Sequence, residues 1–414
     1  MGFDSLKRLT QVTGRLAEGL SGSFGTLNQT GPAIGVDFGV ASLKLLQVTP
    51  GEPPNLIAAA QADTPLEMRG KDAARIDWQL QQLPRLIKQG GFKGRRVVCA
   101  IPASQMYVRH MQLPAGGGDI SALVAGSLAA ELQCDPEALA VRNVEVAPIG
   151  ATGKFEQICM ATARELVVRL MTGMKGAKLE PVGMHSEFQA VLKAFEFAQR
   201  RASDQGHATL YMDMGATSTK IAIAQDGRLV FCRKIDIGGW HLDHAVAVQH
   251  NLEIGEARRR RYAMTTFGPA QPEPEQGLAL LSAGMSAAGQ AGGQSGAGGT
   301  SAEPAVAVAP RPMRAGGIHE PLEMLRDEIA MCLRYHDAMF PTMKADRMVF
   351  LGGEARHRAL CQHIAKSLRL SAQLADPLAR VGRTGNEPAT GVDAKEAQPG
   401  WTVALGLCLM PTDL

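Results

Sequence analysis

Residues 34–48 read Ile-Gly-Val-Asp-Phe-Gly-Val-Ala-Ser-Leu-Lys-Leu-Leu-Gln-Val. The apolar run at the start reads as a buried strand ending in Asp37, an aromatic and Gly39. A tight turn carrying Ser42 follows, and a second apolar run extends from Leu43 to Val48. Strand, Asp-x-Gly turn and strand make a hairpin whose tip offers backbone N–H groups, a small hydroxyl and Lys44. Such a tip can hold phosphate oxygens, and its carboxylate can hold a hydrated Mg²⁺. A single hairpin of this kind is also an ordinary turn, since Asp and Gly are turn formers.

A second copy sharpens the reading. Residues 211–223 read Tyr-Met-Asp-Met-Gly-Ala-Thr-Ser-Thr-Lys-Ile-Ala-Ile. An offset of 176 carries Asp37 to Asp213, Gly39 to Gly215, Ser42 to Ser218 and Lys44 to Lys220. Two such hairpins point to a pseudo-symmetric α/β protein with a nucleotide held between two lobes.

Composition agrees. A chain of 414 residues with 45% hydrophobic content is long enough for two lobes. The 5% of aromatics leaves the cores to Leu, Val, Ile, Ala and Met. A net charge of +3 argues against nucleic acid as a partner. Cys99, Cys134, Cys159, Cys232, Cys332, Cys361 and Cys408 lack CxxC spacing and read mostly as buried thiols of a reducing compartment. No run approaches the ~18–20 apolar residues of a membrane span, and no signal-peptide core follows the N-terminus. The expected location is cytoplasmic.

Residues 1–32 form an N-terminal arm and linker, in which Phe3, Leu6, Leu9, Val12, Leu16 and Leu20 recur at helical spacing among Lys7, Arg8 and Arg15. This helix either docks on its own protein or touches an anionic membrane surface. Helical patterns are expected at 73–90, 120–132, 165–179, 187–202, from Leu242, at 321–339, from Arg358 and at 401–409. Strands are expected at 96–102, 107–113, 139–149, 155–162, 229–237 and 347–351. The βαββα pattern at 103–182 reads as an inserted subdomain. From about 268 to 318 the composition collapses into Gly, Ala, Ser, Pro and Gln, which reads as a disordered surface insertion. The run Arg258–Arg261 is either a phosphate-facing patch or a solvated helix face.

The Asp37 hairpin, the Asp213 hairpin and the strand ending in Gly352-Gly353 resemble the phosphate-1, phosphate-2 and adenosine motifs of the actin-like ATPase superfamily. A glycine pair there lets backbone approach a nucleotide closely, with a helix N-terminus behind it, although a Gly-Gly after a strand is also an ordinary turn. Within the superfamily the insertion at 103–182 resembles the IC subdomain of the FtsA and PilM families. The PilM family of type IV pilus proteins is the better match from Ala33 onward, on residues 34–44, 213–220, Ile237-Gly238-Gly239 and Ala404-Leu405-Gly406-Leu407. The chain ends at Leu414 without the basic amphipathic tail expected of FtsA.

The resemblance implies an actin-like two-lobed ATPase fold. Subdomain IA would take 33–102 with 183–200 and 398–414, and IC would take 103–182. The second lobe would take 201–397. It implies ATP and Mg²⁺ as cofactors, with Asp37 and Asp213 placing the metal and its waters. Gly39, Ser42, Lys44, Gly215, Thr217, Ser218 and Lys220 would hold phosphates. Gly238, Gly239, Glu256, Gly352, Gly353 and Glu354 would complete the nucleotide site. One departure stands out: Arg258 occupies the place of the family's acidic residue on the ribose-flanking helix, with Arg261 near its Lys. No residue is marked as a water-activating base, so slow or no hydrolysis is expected.

The implied role is a cytoplasmic adaptor, peripheral to the inner membrane through its partners. It would bind the N-terminal peptide of a PilN-like bitopic protein between IA and IC, near 107–113 and 120–132. Other pilus platform proteins and assembly ATPases are further implied partners. Two alternatives stay open: an FtsA-like filament-forming protein, and a sugar or acetate kinase of the same superfamily.

Overall fold

Apolar runs bounded by Gly and Asp become strands, and amphipathic runs become the helices that cover them. The computed structural model describes residues 31–114, 119–149, 154–197, 207–267, 317–341 and 344–414. The arm expected over 1–30 and the low-complexity stretch 268–316 lie outside these residues. Ile318, grouped with that stretch by composition, is buried in the second core.

The chain opens with β1 (Ile34–Phe38), β2 (Ser42–Val48), β3 (Leu56–Asp63), helix α1 (Asp72–Gln89) and β4 (Arg96–Ile101). Then come β5 (Tyr107–Pro114), α2 (Ile120–Leu132), β6 (Leu139–Ile149), β7 (Lys154–Ala163) and α3 (Arg164–Gly176). Strand β8 (Glu180–Ser186) and α4 (Glu187–Phe195) follow. The second half runs β9 (Ala208–Met214), β10 (Thr219–Gln225), β11 (Arg228–Ile235), α5 (Gly239–His250), α6 (Ile254–Ala263) and α7 (His319–Met339). It closes with β12 (Ala345–Leu351), α8 (Arg358–Leu368), β13 (Ser371–Leu374) and α9 (Thr402–Leu409).

The repeat seen in the sequence is a repeat of topology. One five-stranded sheet has the order β3-β2-β1-β4-β8 and the other β11-β10-β9-β12-β13. In each, the first three strands in chain order are antiparallel neighbours and the last two join in parallel. Even the register repeats, because Asp37 sits opposite Lys44 and Asp213 opposite Lys220. The segment between β4 and β8 builds a third sheet, β5-β7-β6. Its side chains alternate as a pleat requires: Cys159 and Ala161 face α2, while Ile158 and Met160 join the core shared with the two large sheets.

Burial explains the layering. Ile76, Leu83 and Leu86 of α1 and Leu166, Leu170 and Met174 of α3 cover one face of the first sheet. Helices α5 to α8 cover the outer face of the second. Between the sheets lie α4 and α9, whose Phe188, Val191, Val403 and Leu407 pack with Val98 of the first and Tyr211 and Val349 of the second. All seven cysteines are free thiols, five of them buried, with Cys408 half-buried and Cys134 exposed. No helix among the described residues is long and apolar enough to cross a membrane.

The α4–α9 crossing leaves no room for a side chain at Gly406, where a Cβ would lie 1.8 Å from the carbonyl oxygen of Ala190. Gly406→Ala must therefore push the helices apart inside the core both lobes share. The expected cost is about 3 kcal/mol, read as a lower urea midpoint; an unchanged midpoint would show that the crossing adapts.

Candidate functional site

The two hairpin turns are pinned from behind, each by a different device. Behind the first, the fully buried Arg75 of α1 donates through Nη1 to the Phe38 carbonyl at 2.8 Å, and Gln79 Nε2 donates to the Gly39 carbonyl at 2.7 Å. Behind the second, the N-terminus of α5 does the same work. The Gly239 N–H donates to Gly215 O at 3.0 Å and the Trp240 N–H to Ala216 O at 2.7 Å. In a trans peptide the N–H points opposite its C=O. Pinning those carbonyls therefore turns the N–H groups of Val40, Ala216 and Thr217 toward the other side, where all three residues line a cavity between the lobes. Convergent N–H groups of this kind are an anion-binding feature.

That cavity measures about 450 Å³ and is walled by both turns. It brings together Asp37, Gly39, Ser42, Lys44, Asp213, Gly215, Thr217, Ser218, Lys220, Gly352, Gly353 and Glu354. Three expected residues lie elsewhere. Gly238 and Gly239 stand behind the second turn as its support, and Glu256 is exposed on α6 without lining the cavity. Gly352 holds φ +85°, and a Cβ there would meet Asp213 Oδ1 at 2.4 Å, so the glycine is required by both conformation and space.

The charges are paired unequally. Lys44 lies 3.8 Å from Asp37, whereas Lys220 lies 2.8 Å from Asp213 and also pairs with Glu187 of α4. Burial pushes the Asp37 carboxyl up to about 6, against the opposing pull of Lys44. Burial works to lower Lys220, but Asp213 and Glu187 outweigh it and hold the ammonium well above its usual range. Among the described residues no group of three or more His, Cys, Asp or Glu could hold a metal ion. Asp37 and Asp213 line the cavity, each beside an ammonium group.

The raised Asp37 carries a stability prediction. Its folded value exceeds the ordinary 3.8, so the fold binds this proton more tightly than the unfolded chain does. The contribution favours folding at low pH and is lost as pH rises through about 6. In EDTA at pH 7.5, Asp37→Asn should unfold later than the parent by about 3 kcal/mol, with the gap narrowing toward pH 4. Equal stability at both pH values would mean that Lys44 fully offsets the burial.

The arginine run divides. Arg259 and Arg260 are exposed, but Arg261 is fully buried and Arg258 half-buried. Arg261 donates to Asp243 Oδ1 at 2.6 Å and to Glu354 Oε2 at 2.7 Å. Arg258 and the Tyr262 hydroxyl reach the same carboxylate at 3.3 and 3.1 Å. A solvated face therefore describes half of the run. Glu354 is thus the shared acceptor of three α6 side chains.

Sequence reading passes over Glu187, Arg75, Arg69 and Tyr262, all placed by tertiary contact. Glu187 opens α4, accepts from the Ala103 N–H at 2.9 Å and crosses to Lys220 of the other lobe. Burial, and then the neighbouring Arg258, hold the Arg69 guanidinium below its usual range.

A sequence profile of the family described as type IV pilus assembly protein PilM matches residues 35–268, more than half of the chain. No curated protein matches significantly. A solved structure described as the PilM-PilN type IV pilus biogenesis complex superposes with a TM-score of 0.66 at 20% identity, covering 91% of this chain and 98% of that one. The ethanolamine utilization protein EutJ of Carboxydothermus hydrogenoformans gives 0.44 at 14% identity, over 92% and 91% of the two chains. MreB5 of Spiroplasma citri, bound to ADP, gives 0.43 at 13%, over 91% and 95%. The fold is α/β, of the two-lobed actin-like ATPase type. The chain belongs to the PilM family of type IV pilus assembly proteins.

Proposed function

We propose that this protein is an adaptor of the pilus assembly platform that binds Mg-ATP between its lobes. It would receive the N-terminal cytoplasmic peptide of a PilN-like bitopic inner-membrane protein. The observation that carries the nucleotide part is the register-matched pair of hairpins, Asp37 with Lys44 and Asp213 with Lys220, facing one interlobe cavity. Asp37 and Asp213 would hold Mg²⁺ through its waters, and the ion would screen the charge of the phosphate chain. The pinned turns would hold phosphate oxygens, and Gly352 and Gly353 would lie against the nucleoside.

A second cavity, of about 560 Å³, offers a seat for the peptide away from the expected 107–113 and 120–132, none of whose residues line it. Its walls come from Val144 and Glu145 of β6, Leu192 and Lys193 of α4, the 226–229 turn and Met410. A seat shared by the third sheet, α4 and the β10–β11 turn of the second sheet suits a short segment better than a whole domain. Association with the inner membrane would follow from the partner. A similar complex described for the PilM-PilN pair lends weight to this reading.

The test is calorimetric titration of the full chain with the N-terminal peptide of the bitopic protein encoded beside it, with and without Mg-ATP. Micromolar binding that changes with nucleotide is the expected result. No binding, together with ATP turnover on adding sugars or acetate, would favour a kinase.

A further inference from the structure

Lys220 stands at the boundary between the lobes. It rises from β10 of the second sheet, 2.8 Å from Asp213 Oδ2 of its own hairpin, and pairs with Glu187, which begins α4 beneath the first sheet. The ammonium side chain is 14% exposed and its two partners 8% and 7%, so water screens these charges little. Glu187 is engaged on both oxygens, because Oε1 accepts from the Ala103 N–H and Oε2 from Lys220. Asp37 faces the same space, with Lys44 as its more distant partner. Three carboxylates and two ammonium groups therefore meet there.

We propose that Lys220 is the built-in cation of this cleft. It neutralises Asp213 and Glu187 across the lobe boundary, so a divalent ion enters only together with a polyphosphate, whose oxygens take over the ammonium. This deepens, and rests on, the reading of the cleft as a nucleotide site. A bare divalent ion approaching Asp213 meets a fixed like charge within contact distance of the carboxylate it seeks. A phosphate chain reverses that balance by bringing anionic oxygens to the ammonium, which frees the carboxylate for metal-bound water. Metal binding is thereby made conditional on phosphate.

The exchange has an address beyond the cleft. Ala103, held by the other oxygen of Glu187, lies in the connection from β4 to β5, where the third sheet is rooted. Drawing Lys220 away changes what Glu187 is bonded to, and the change is felt at that connection.

The experiment uses the full-length chain and Mn²⁺, followed by the loss of the free-ion electron paramagnetic resonance signal, first alone and then with pyrophosphate. Wild type should take up Mn²⁺ only when pyrophosphate is added. Lys220→Ala should bind Mn²⁺ alone about tenfold more tightly than wild type, or better. Lys220→Gln keeps donors for both carboxylates without the charge and should behave like Lys220→Ala, which covers the case in which the shorter side chain fails to fold. Lys220→Arg should behave like wild type. Equal uptake of bare Mn²⁺ by wild type and the neutral variants would overturn the proposal, as would neutral variants that bind none. The nucleotide reading is scored separately by Mg-ATP titration of wild type. Failure there, with the Mn²⁺ pattern intact, would leave Lys220 its role and remove ATP as the ligand.

Discussion

Asp213→Ala should weaken Mg-ATP binding by about a hundredfold while the far-ultraviolet circular dichroism stays unchanged. Asp213 ends β9 with its side chain almost fully buried, and Gly352 leaves it the space in which it lies. If it accepts hydrogen bonds from two metal-bound waters, each charged bond contributes about 1.5–3 kcal/mol. Losing both exceeds the roughly 2.8 kcal/mol that a hundredfold change requires. The strand itself does not depend on the carboxylate, because its ladder with β10 and β12 is backbone to backbone. Asp213→Asn, which keeps the shape and one acceptor, should fall between the two. Full affinity in a folded Asp213→Ala protein would remove this hairpin from the site.

Arg261→Met should cost about 3–5 kcal/mol of folding stability, the range for breaking a buried ion pair by removing one partner. Two nearly buried carboxylates, Asp243 and Glu354, lean on this guanidinium from α5 and from the turn after β12. Without it they share one low-dielectric space, with only Arg258 and Tyr262 left to Glu354. Burial already pushes Asp243 up, so the deficit should shrink as pH falls and the unpaired carboxyls take up protons. Replacing Arg261, Asp243 and Glu354 together by apolar residues of similar volume should recover much of the loss, since the penalty comes from uncompensated charge. Urea unfolding at pH 8 and pH 6 reads both effects; a pH-independent deficit would point to lost packing instead.

What could be read ahead of the fold was whatever is local. Both hairpins announce themselves because Asp, Gly, Ser and Lys recur at the same spacing 176 residues apart, and helix 120–132 matches α2 to the residue. Strand β3 is silent because Leu-Ile-Ala-Ala-Ala-Gln-Ala-Asp carries an alanine run with little β signal; it is a strand because β2 offers it an edge. Pro181 and Gly183 hide β8 in the same way. Twelve of the fifteen expected site residues meet in one cavity. Glu187 and Arg75 escaped for a different reason. Each looks like an ordinary charge on an amphipathic helix until the sheets bring Lys220 to one and the Phe38 carbonyl to the other. The arginine run misleads because exposure alternates within one helical turn, and only the partner positions decide which pair turns inward.

The contact at Gly406 also bears on motion. Where two helices meet through a layer of side chains, they can slide past one another as those side chains change rotamer. Here the backbone of α9 rests on the Ala190 carbonyl with no such layer between, and the two helices are the packing between the sheets. Sliding is blocked at that point, while turning about it is not. Any movement of these two helices against each other must therefore turn about that contact.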